Sequence, residues 1–452
     1  MTSLGPRLVV AGTHSGVGKT TVAAGLMAAL RAAGHTVASA KVGPDFIDPG
    51  YHALATGRPP RNLDAWMSGL DLIAPLAARA GAGADVTIIE GVMGLFDGAN
   101  DGSPSSTADI AIELDAPVIL VVDGSSMSSS VAALVRGYRD HRPELRFAGV
   151  ILNRVSTERH RTLLTEALDA IGVPVLGTLG RDDALTWRDR HLGLVPVNEQ
   201  PDAVRVSLDR LGATITAGCD LERIMTIAMA APEMEADPVA MPERVGSARI
   251  AVAGGPAFTF IYRDNIEALV AAGAELVPFD PLVDESLPPR VDGLVIGGGF
   301  PEVFAPRLAD NRHLLAQVAD AVGAGLVTWA ECGGLLWLSE SLDDRRMVGA
   351  IAARTAMADR LTLGYRTAAV HVGNPVASAG AELRGHEFHY STCEPSGDAL
   401  ELTSRFGTRR EGFGSATMLA TYLHQHLAGR PKAAERFVRH CVDSVVRTEP
   451  HR

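Results

Sequence analysis

The chain has 452 residues, of which 46% are hydrophobic and 21% charged, and its formal net charge is −12. That length exceeds one ordinary core and implies roughly two or three domains, with an apolar share typical of globular proteins. The acidic balance without a Lys/Arg run argues against nucleic acid as a partner. No apolar run is long enough to span a bilayer, which argues against a membrane. No leader-like segment precedes the first apolar run, so a cytoplasmic location is expected.

The opening segment, RLVVAGTHSGVGKTTVAAGLMAALRAAG, spans residues 7–34. Its apolar run predicts a buried strand, its Gly-rich middle a turn, and the stretch from Thr20 to Gly34 a helix. Gly12, Gly16 and Gly18 let backbone N–H groups curl around an anion at a helix N-terminus. Lys19 then reaches the β- and γ-phosphates, Thr20 is placed to hold Mg²⁺, and Thr21 follows in the first turn. Five residues separate Gly12 from Gly18, one more than in the usual phosphate loop.

Next, HTVASAKVGPDFIDPGYH reads as a strand running into a loop with Asp45 and Asp48, and Lys41 closes the strand. GRPPRNLDAWM, with two prolines, reads as a surface loop carrying Arg58 and Arg61. DVTIIEGVMGLFDG predicts a strand ending at Glu90 and a loop to Asp97. Glu90 is the candidate metal ligand. Asp45, Asp48 and Asp97 are candidates for a second Mg²⁺ or for orienting a substrate, or else form a solvated acidic loop. Lys41, Arg58 and Arg61 would bind carboxylates or be plain surface. APVILVVDG, FAGVILNRV and GVPVLGTLG add further strands, and Asn153 stands at the end of one, where capping the next segment is one role for it. Strands alternating with helices predict a parallel sheet with helices on both faces, functional at its strand C-termini.

From about Leu221 to Gly246 the pattern weakens, and the expected division is an ATP-binding domain over 1–235, a linker over 236–247 and a second α/β domain over 248–452. In the second domain Cys332 falls between the strand GLVTWAE and the helix GGLLWLSESL. A strand-to-helix turn exposes a nucleophile, and helix N-termini favour thiolates. The alternative is a core cysteine, but Glu331 and the double glycine are out of place in a core strand. Gly333 and the triplet loop GGGFPE, through Gly298 or Gly299, are candidate oxyanion donors. His424 and His426 in TYLHQH, or Glu387 and His389 in GHEFHY, are near enough in pattern to serve as base or support. A zinc site on His386 and His389, or His424 and His426, is the competing reading, without a Cys or carboxylate set at ligand spacing. The four cysteines, Cys219, Cys332, Cys393 and Cys441, show no CxxC pair, so reduced thiols are expected.

GTHSGVGKTT resembles the ATPases of the dethiobiotin synthetase and cobyrinic acid a,c-diamide synthase group. GGGFPE, AECGGLLWL, GHEFHYS and TYLHQH, in this order, resemble the glutamine amidotransferase domain of the cobyrinic and cobyric acid synthases. KVGPDFIDPGYHALATGRPPRNLDAWM, EGVMGLFDG, VILNRV and RHLGLV resemble the cobyrinic or hydrogenobyrinic acid a,c-diamide synthases more closely than cobyric acid synthase. The resemblance implies a P-loop NTPase sheet followed by a class I amidotransferase-like α/β domain. It implies Cys332 as nucleophile, His424 as base and Asn153 as an adenine contact. The implied small-molecule partners are ATP with Mg²⁺, L-glutamine and a corrin polycarboxylic acid, and a homodimer is allowed. Ordinary class I amidotransferases carry a Glu two residues after the His, where this chain has His426, so the third residue of the catalytic set stays open. Rival readings are a cobyric acid synthase and, from another class, a ParA-like switch ATPase, which leaves Cys332 and His424 without a role.

Overall fold

The computed structural model describes residues 2–99, 101–181, 189–190, 193–194 and 197–448. Of the segment RHLGLV, His191, Leu192 and Val195 lie outside the described residues. The chain divides into two compact units, Met1–Val239 and Ala240–Arg452.

The first unit is built on a seven-stranded parallel sheet. Its spatial order is Arg61–Leu63, Val37–Val42, Val86–Glu90, Arg7–Gly12, Val118–Asp123, Phe147–Asn153 and Val175–Thr178. Every neighbouring pair in it is parallel. Strands covered on both faces read as continuous apolar runs, and Arg7–Gly12 is buried at all six positions. The helix Lys19–Ala32 lies against Pro201–Gly218 with Gly25 at the crossing. A Cβ on Gly25 would sit 2.6 Å from Ile215 Cγ1 and 2.9 Å from Leu211 Cγ, so only glycine allows this approach.

One expectation is corrected here. The Pro-Pro segment is not merely a surface loop, because Arg61–Leu63 is a buried edge strand in register with Ala40–Val42. An edge position tolerates nearby prolines since one side of the strand needs no ladder donors. The weakly patterned region after Leu221 opens with a helix, Leu221–Met229, whose Ile224 and Ala228 are fully buried in the first unit's core. Met234–Ala236 then pairs antiparallel with Thr2–Leu4.

The second unit has a six-stranded sheet ordered Ala274–Phe279, Ala248–Ala253, Gly293–Ile296, Val327–Glu331, Met418–Thr421 and Phe413–Gly414. All pairs are parallel except the last. A second sheet, unforeseen from the sequence, is built around the long strand Ile351–Val370, which pairs antiparallel with Glu382–Glu394 and Leu400–Ser404. An isolated antiparallel bridge, His386 to His424, ties it to the loop after Met418–Thr421.

Candidate active site

In the first unit, the loop from Gly12 to Gly18 leaves the C-terminal end of the central strand and enters the helix Lys19–Ala32. Gly16 and Gly18 have φ of 81° and 94°, a left-handed backbone that glycine adopts without steric cost. Neighbouring side chains hold the loop in this shape. Asn153 Nδ2 donates to the Val17 carbonyl at 2.9 Å and packs where a Gly18 Cβ would fall. Arg154 donates to the Gly16 carbonyl at 2.9 Å and pairs with Asp123 at 2.5 Å. Tyr138 donates its hydroxyl proton to the Thr13 carbonyl.

Behind the loop lies a buried charge cluster. Thr20 Oγ1 donates to Glu90 Oε1 at 2.6 Å and lies 3.2 Å from Asp48 Oδ2. Lys41 Nζ, almost wholly buried, donates to Asp48 Oδ2 at 2.5 Å, Glu90 Oε1 at 2.9 Å and the Gly91 carbonyl at 3.1 Å, with Asp45 3.7 Å away. His52 Nε2 meets the other Glu90 oxygen at 2.6 Å. Burial alone would raise the Glu90 pKa, but Lys41 and the His52 hydrogen bond outweigh it and hold the group well below the usual carboxylate range. Burial works against the Lys41 ammonium too, and Asp48, Glu90 and Asp45 together raise its pKa. Burial, with Asp45 adding repulsion, pushes Asp48 up to about 8. Lys19 is shifted down by burial and by the Lys41 charge. Thr20, Glu90 and Asp48 present a set of hard oxygen donors at the mouth of a phosphate loop, which fits Mg²⁺, an ion that takes few protein ligands and completes its shell with water and phosphate. Asp97 stands apart: its carboxylate accepts from the Gly94 N–H at 2.9 Å and shapes its own loop. Arg58 donates to the Ala82 carbonyl at 2.6 Å.

In the second unit, Cys332 ends the strand Val327–Glu331 and starts the helix Gly333–Leu338 with φ 48°. Such a conformation in a non-glycine residue costs on the order of 1–3 kcal/mol and marks functional turns. Packing demands the second glycine after it, since a Cβ on Gly334 would lie 2.5 Å from the Ile296 carbonyl oxygen, and leaves little room at the first, where a Cβ on Gly333 would lie 3.0 Å from the Gly299 nitrogen. His424 is buried and hydrogen-bonded to Cys332. A Cβ on Gly298 would fall 2.5 Å from His424 Cε1, 3.2 Å from Nε2 and 3.3 Å from Cys332 Cβ, so Nε2 faces the nucleophile. Nδ1 faces Glu331, whose Oε2 is 3.6 Å away. Burial opposes the imidazolium, yet the neighbouring Cys332 and Glu331 raise the His424 pKa to about 10. The arrangement pairs a nucleophilic sulfur with an adjacent imidazole that can hold its proton.

Models of two families match the chain: a CobQ/CobB/MinD/ParA nucleotide binding domain over residues 8–195 and a CobB/CobQ-like glutamine amidotransferase domain over residues 249–432. A hydrogenobyrinate a,c-diamide synthase of Streptomyces coelicolor is 47% identical, with 96% of this chain and 97% of the relative covered. The chain belongs to the a,c-diamide synthase family. A hydrogenobyrinate a,c-diamide synthase of Thermobifida fusca is 46% identical, with 96% of each chain covered. A cobyrinate a,c-diamide synthase of Priestia megaterium is 42% identical, covering 96% of this chain and 97% of its own.

Against the pattern read for this diamide synthase family, one oxyanion candidate is corrected. The Gly298 N–H donates to the Phe260 carbonyl at 3.0 Å, which removes it from the donor role and leaves Gly299 and Gly333 as candidates. Asn153 braces the phosphate loop with its amide nitrogen, while its oxygen accepts from the Arg154 N–H at 2.9 Å. His426 turns away to Asp264, 3.6 Å from its carboxylate. Glu387 is gripped by Arg366 at 2.7 Å and by Arg409. His389 Nδ1 donates to the Ser391 carbonyl at 3.0 Å, and the ring stacks on Tyr422 with 3.8 Å between ring centroids. His52 was not singled out by the sequence, since a lone His in a predicted loop carries no signal. Glu331 was noted only as out of place in a core strand.

Proposed function

We propose that this chain catalyses the ATP- and glutamine-dependent amidation of the a- and c-acetate carboxylates of hydrogenobyrinic or cobyrinic acid, a step of cobalamin biosynthesis. The observation that carries this reading is the presence of two complementary centres in one family member: a phosphate loop backed by oxygen donors, and a Cys–His pair at a strained turn.

A carboxylate is a poor electrophile. Its oxygen attacks the γ-phosphorus of ATP, ADP leaves, and the acyl phosphate that results reacts with ammonia, releasing phosphate. Catalysis of the first step is mainly positioning and charge neutralisation. The braced loop and Lys19 hold the phosphates, and Thr20 and Glu90 would hold Mg²⁺, which neutralises phosphate charge when bound. Lys41 and His52 keep Glu90 ionised and fixed in orientation. In the second unit, Cys332 attacks the glutamine carboxamide, with the N–H groups of Gly299 and Gly333 as the candidate oxyanion donors.

The decisive experiment is incubation with ATP, Mg²⁺, glutamine and either hydrogenobyrinic or cobyrinic acid, with product mass as readout. Gain of two amide groups on one of the acids is the expected result, and the ratio of rates identifies whether the ring carries cobalt. No mass change on either acid would sink the assignment.

A further inference from the structure

The glutaminase centre lacks the carboxylate that class I amidotransferases carry two residues after the base, and another carboxylate stands in reach of the ring. We propose that Glu331, the residue immediately before the nucleophile, is the positioning residue that orients His424 for glutamine hydrolysis. The inference rests on the reading of Cys332 and His424 as a glutaminase.

The sheet itself delivers Glu331 to this position. Val327–Glu331 pairs in parallel with Met418–Thr421, Glu331 is in register with Thr421, and the Cys332 N–H donates to the Thr421 carbonyl at 2.7 Å. The two strands therefore end side by side, and the loop carrying His424 starts beside the Glu331 carboxylate. One carboxylate thus meets two groups: Oε1 accepts from the Gln425 N–H at 3.1 Å, and Oε2 lies 3.6 Å from His424 Nδ1, just beyond hydrogen-bond length. Contacts of catalytic groups are often long in the absence of substrate and tighten in its complex.

The rival carboxylates are engaged elsewhere. Glu387 is held by Arg366 and Arg409. Asp264 faces His426. Glu411 accepts from the Thr421 hydroxyl and the Tyr422 N–H. Glu331 is only 5% exposed, and a carboxylate in such a place is costly unless paired with a cation or strong donor. Its partner is the His424 imidazole, which is positive while the sulfur attacks.

The chemistry assigns each proton. As the S–C bond forms at the carboxamide carbon, the proton shared by Cys332 Sγ and His424 Nε2 rests on Nε2, and the carbonyl electron pair moves to oxygen. When the tetrahedral adduct collapses, His424 returns that proton to the departing nitrogen, which leaves as ammonia, and a thioester remains. Water then adds to the thioester and gives a proton to Nε2, and that proton returns to sulfur as glutamate leaves. Glu331 never takes the proton. It keeps Nδ1–H pointed away from sulfur, so that Nε2 stays the acceptor.

The test is glutamate release from glutamine by the full chain, which does not depend on which acid is amidated. Glu331→Gln keeps the acceptor for Gln425 but removes the charge. The expected result is a kcat for glutamate release lower by about 100-fold, the low end of a positioned base's contribution, with an unchanged KM for glutamine. Ammonia-dependent synthesis by the same variant should match the wild type. Nitrogen-15 spectra of the wild-type imidazole should show a hydrogen-bonded Nδ1–H that shifts in Glu331→Gln. A wild-type kcat in the variant, or an Nδ1 resonance unaffected by the substitution, overturns the proposal. If the variant folds poorly, a wild-type spectrum without a hydrogen-bonded Nδ1–H overturns it equally. Absence of glutamate release from the wild type, or loss of it in neither Cys332→Ser nor His424→Ala, would instead remove the glutaminase reading.

Discussion

Lys41 and Glu90 are register partners on adjacent parallel strands, and their side chains meet at 2.9 Å in the interior of the first unit. Lys41 thus balances the buried Glu90 carboxylate and donates to Asp48 beside it. Lys41→Met keeps the volume and removes the charge. Leaving Glu90 uncompensated should cost about 3–5 kcal/mol of stability, measured by urea unfolding. Adding Glu90→Gln to Lys41→Met should return part of the loss, because the two residues act as one unit. Strict additivity of the two substitutions would show that the ion pair is not the source.

How much of this was legible in the sequence differs between the two centres. The phosphate loop is read directly, since its glycines, Lys19 and Thr20 are contiguous. The cluster behind it is not, because His52 joins Glu90 only once Asp48–Thr56 folds as a helix beside the sheet. Cys332 announces itself by the paired glycines after it. Glu331 does not, because its relation to His424 is set by the register of strands far apart in the chain. Arg61–Leu63 was hidden by the two prolines before it. The strand Ile351–Val370 was hidden by its mixed exposure, which gives neither a continuous apolar run nor a clean alternation.

Glu90→Gln retains the shape of the group that accepts from Thr20 and Lys41 while removing its charge. Phosphoryl transfer depends on charge neutralisation, so synthesis from glutamine and from ammonium salts should both be abolished. Full ammonia-dependent synthesis in that variant would remove Glu90 from the ATP site. Lys19→Ala should likewise weaken ATP use, measured as ADP release, and leave basal glutamate release intact.

Gly298 is required for its lack of a side chain. Gly298→Ala would place a carbon 2.5 Å from His424 Cε1 and 3.3 Å from Cys332 Cβ. The ring must move, and a displacement near 1 Å in such a site costs about 100-fold in rate. Glutamate release should fall by that order while ammonia-dependent synthesis persists. Wild-type glutamate release would show that the ring adjusts without loss.

The His424 pKa, raised to about 10 by Cys332 and Glu331 against the effect of burial, makes a stability prediction with a definite sign. The folded value lies above the unfolded value of about 6.5. The contribution is therefore fully present below about pH 6.5 and is lost as pH rises through the folded pKa. His386, which also faces this ring, is pushed well below the ordinary range by burial and by the His424 charge, and stays neutral throughout. Comparing urea unfolding of the wild type and His424→Gln at pH 6, 8 and 10 is expected to show a gap that narrows with pH. A gap independent of pH would mean that His424 is neutral in the folded protein.

Cys332→Ser separates the two centres through one atom. The side chain keeps nearly the same size, and the turn at φ 48° should survive because its geometry is set by Gly333 and Gly334 packing on the neighbouring strand and loop. A serine hydroxyl stays protonated near neutral pH where a thiol next to a base yields the nucleophilic thiolate. Thioester formation should fail, and glutamine-dependent synthesis should fall by orders of magnitude. Ammonium salts supply nitrogen without that step, so ammonia-dependent amidation should continue at the wild-type rate, driven by the phosphate loop, Lys19 and the Thr20–Glu90 pair. A variant with undiminished glutamine use would make Cys332 structural. A variant that binds ATP, melts like the wild type and is still dead with ammonia would show that the first unit cannot complete amidation on its own.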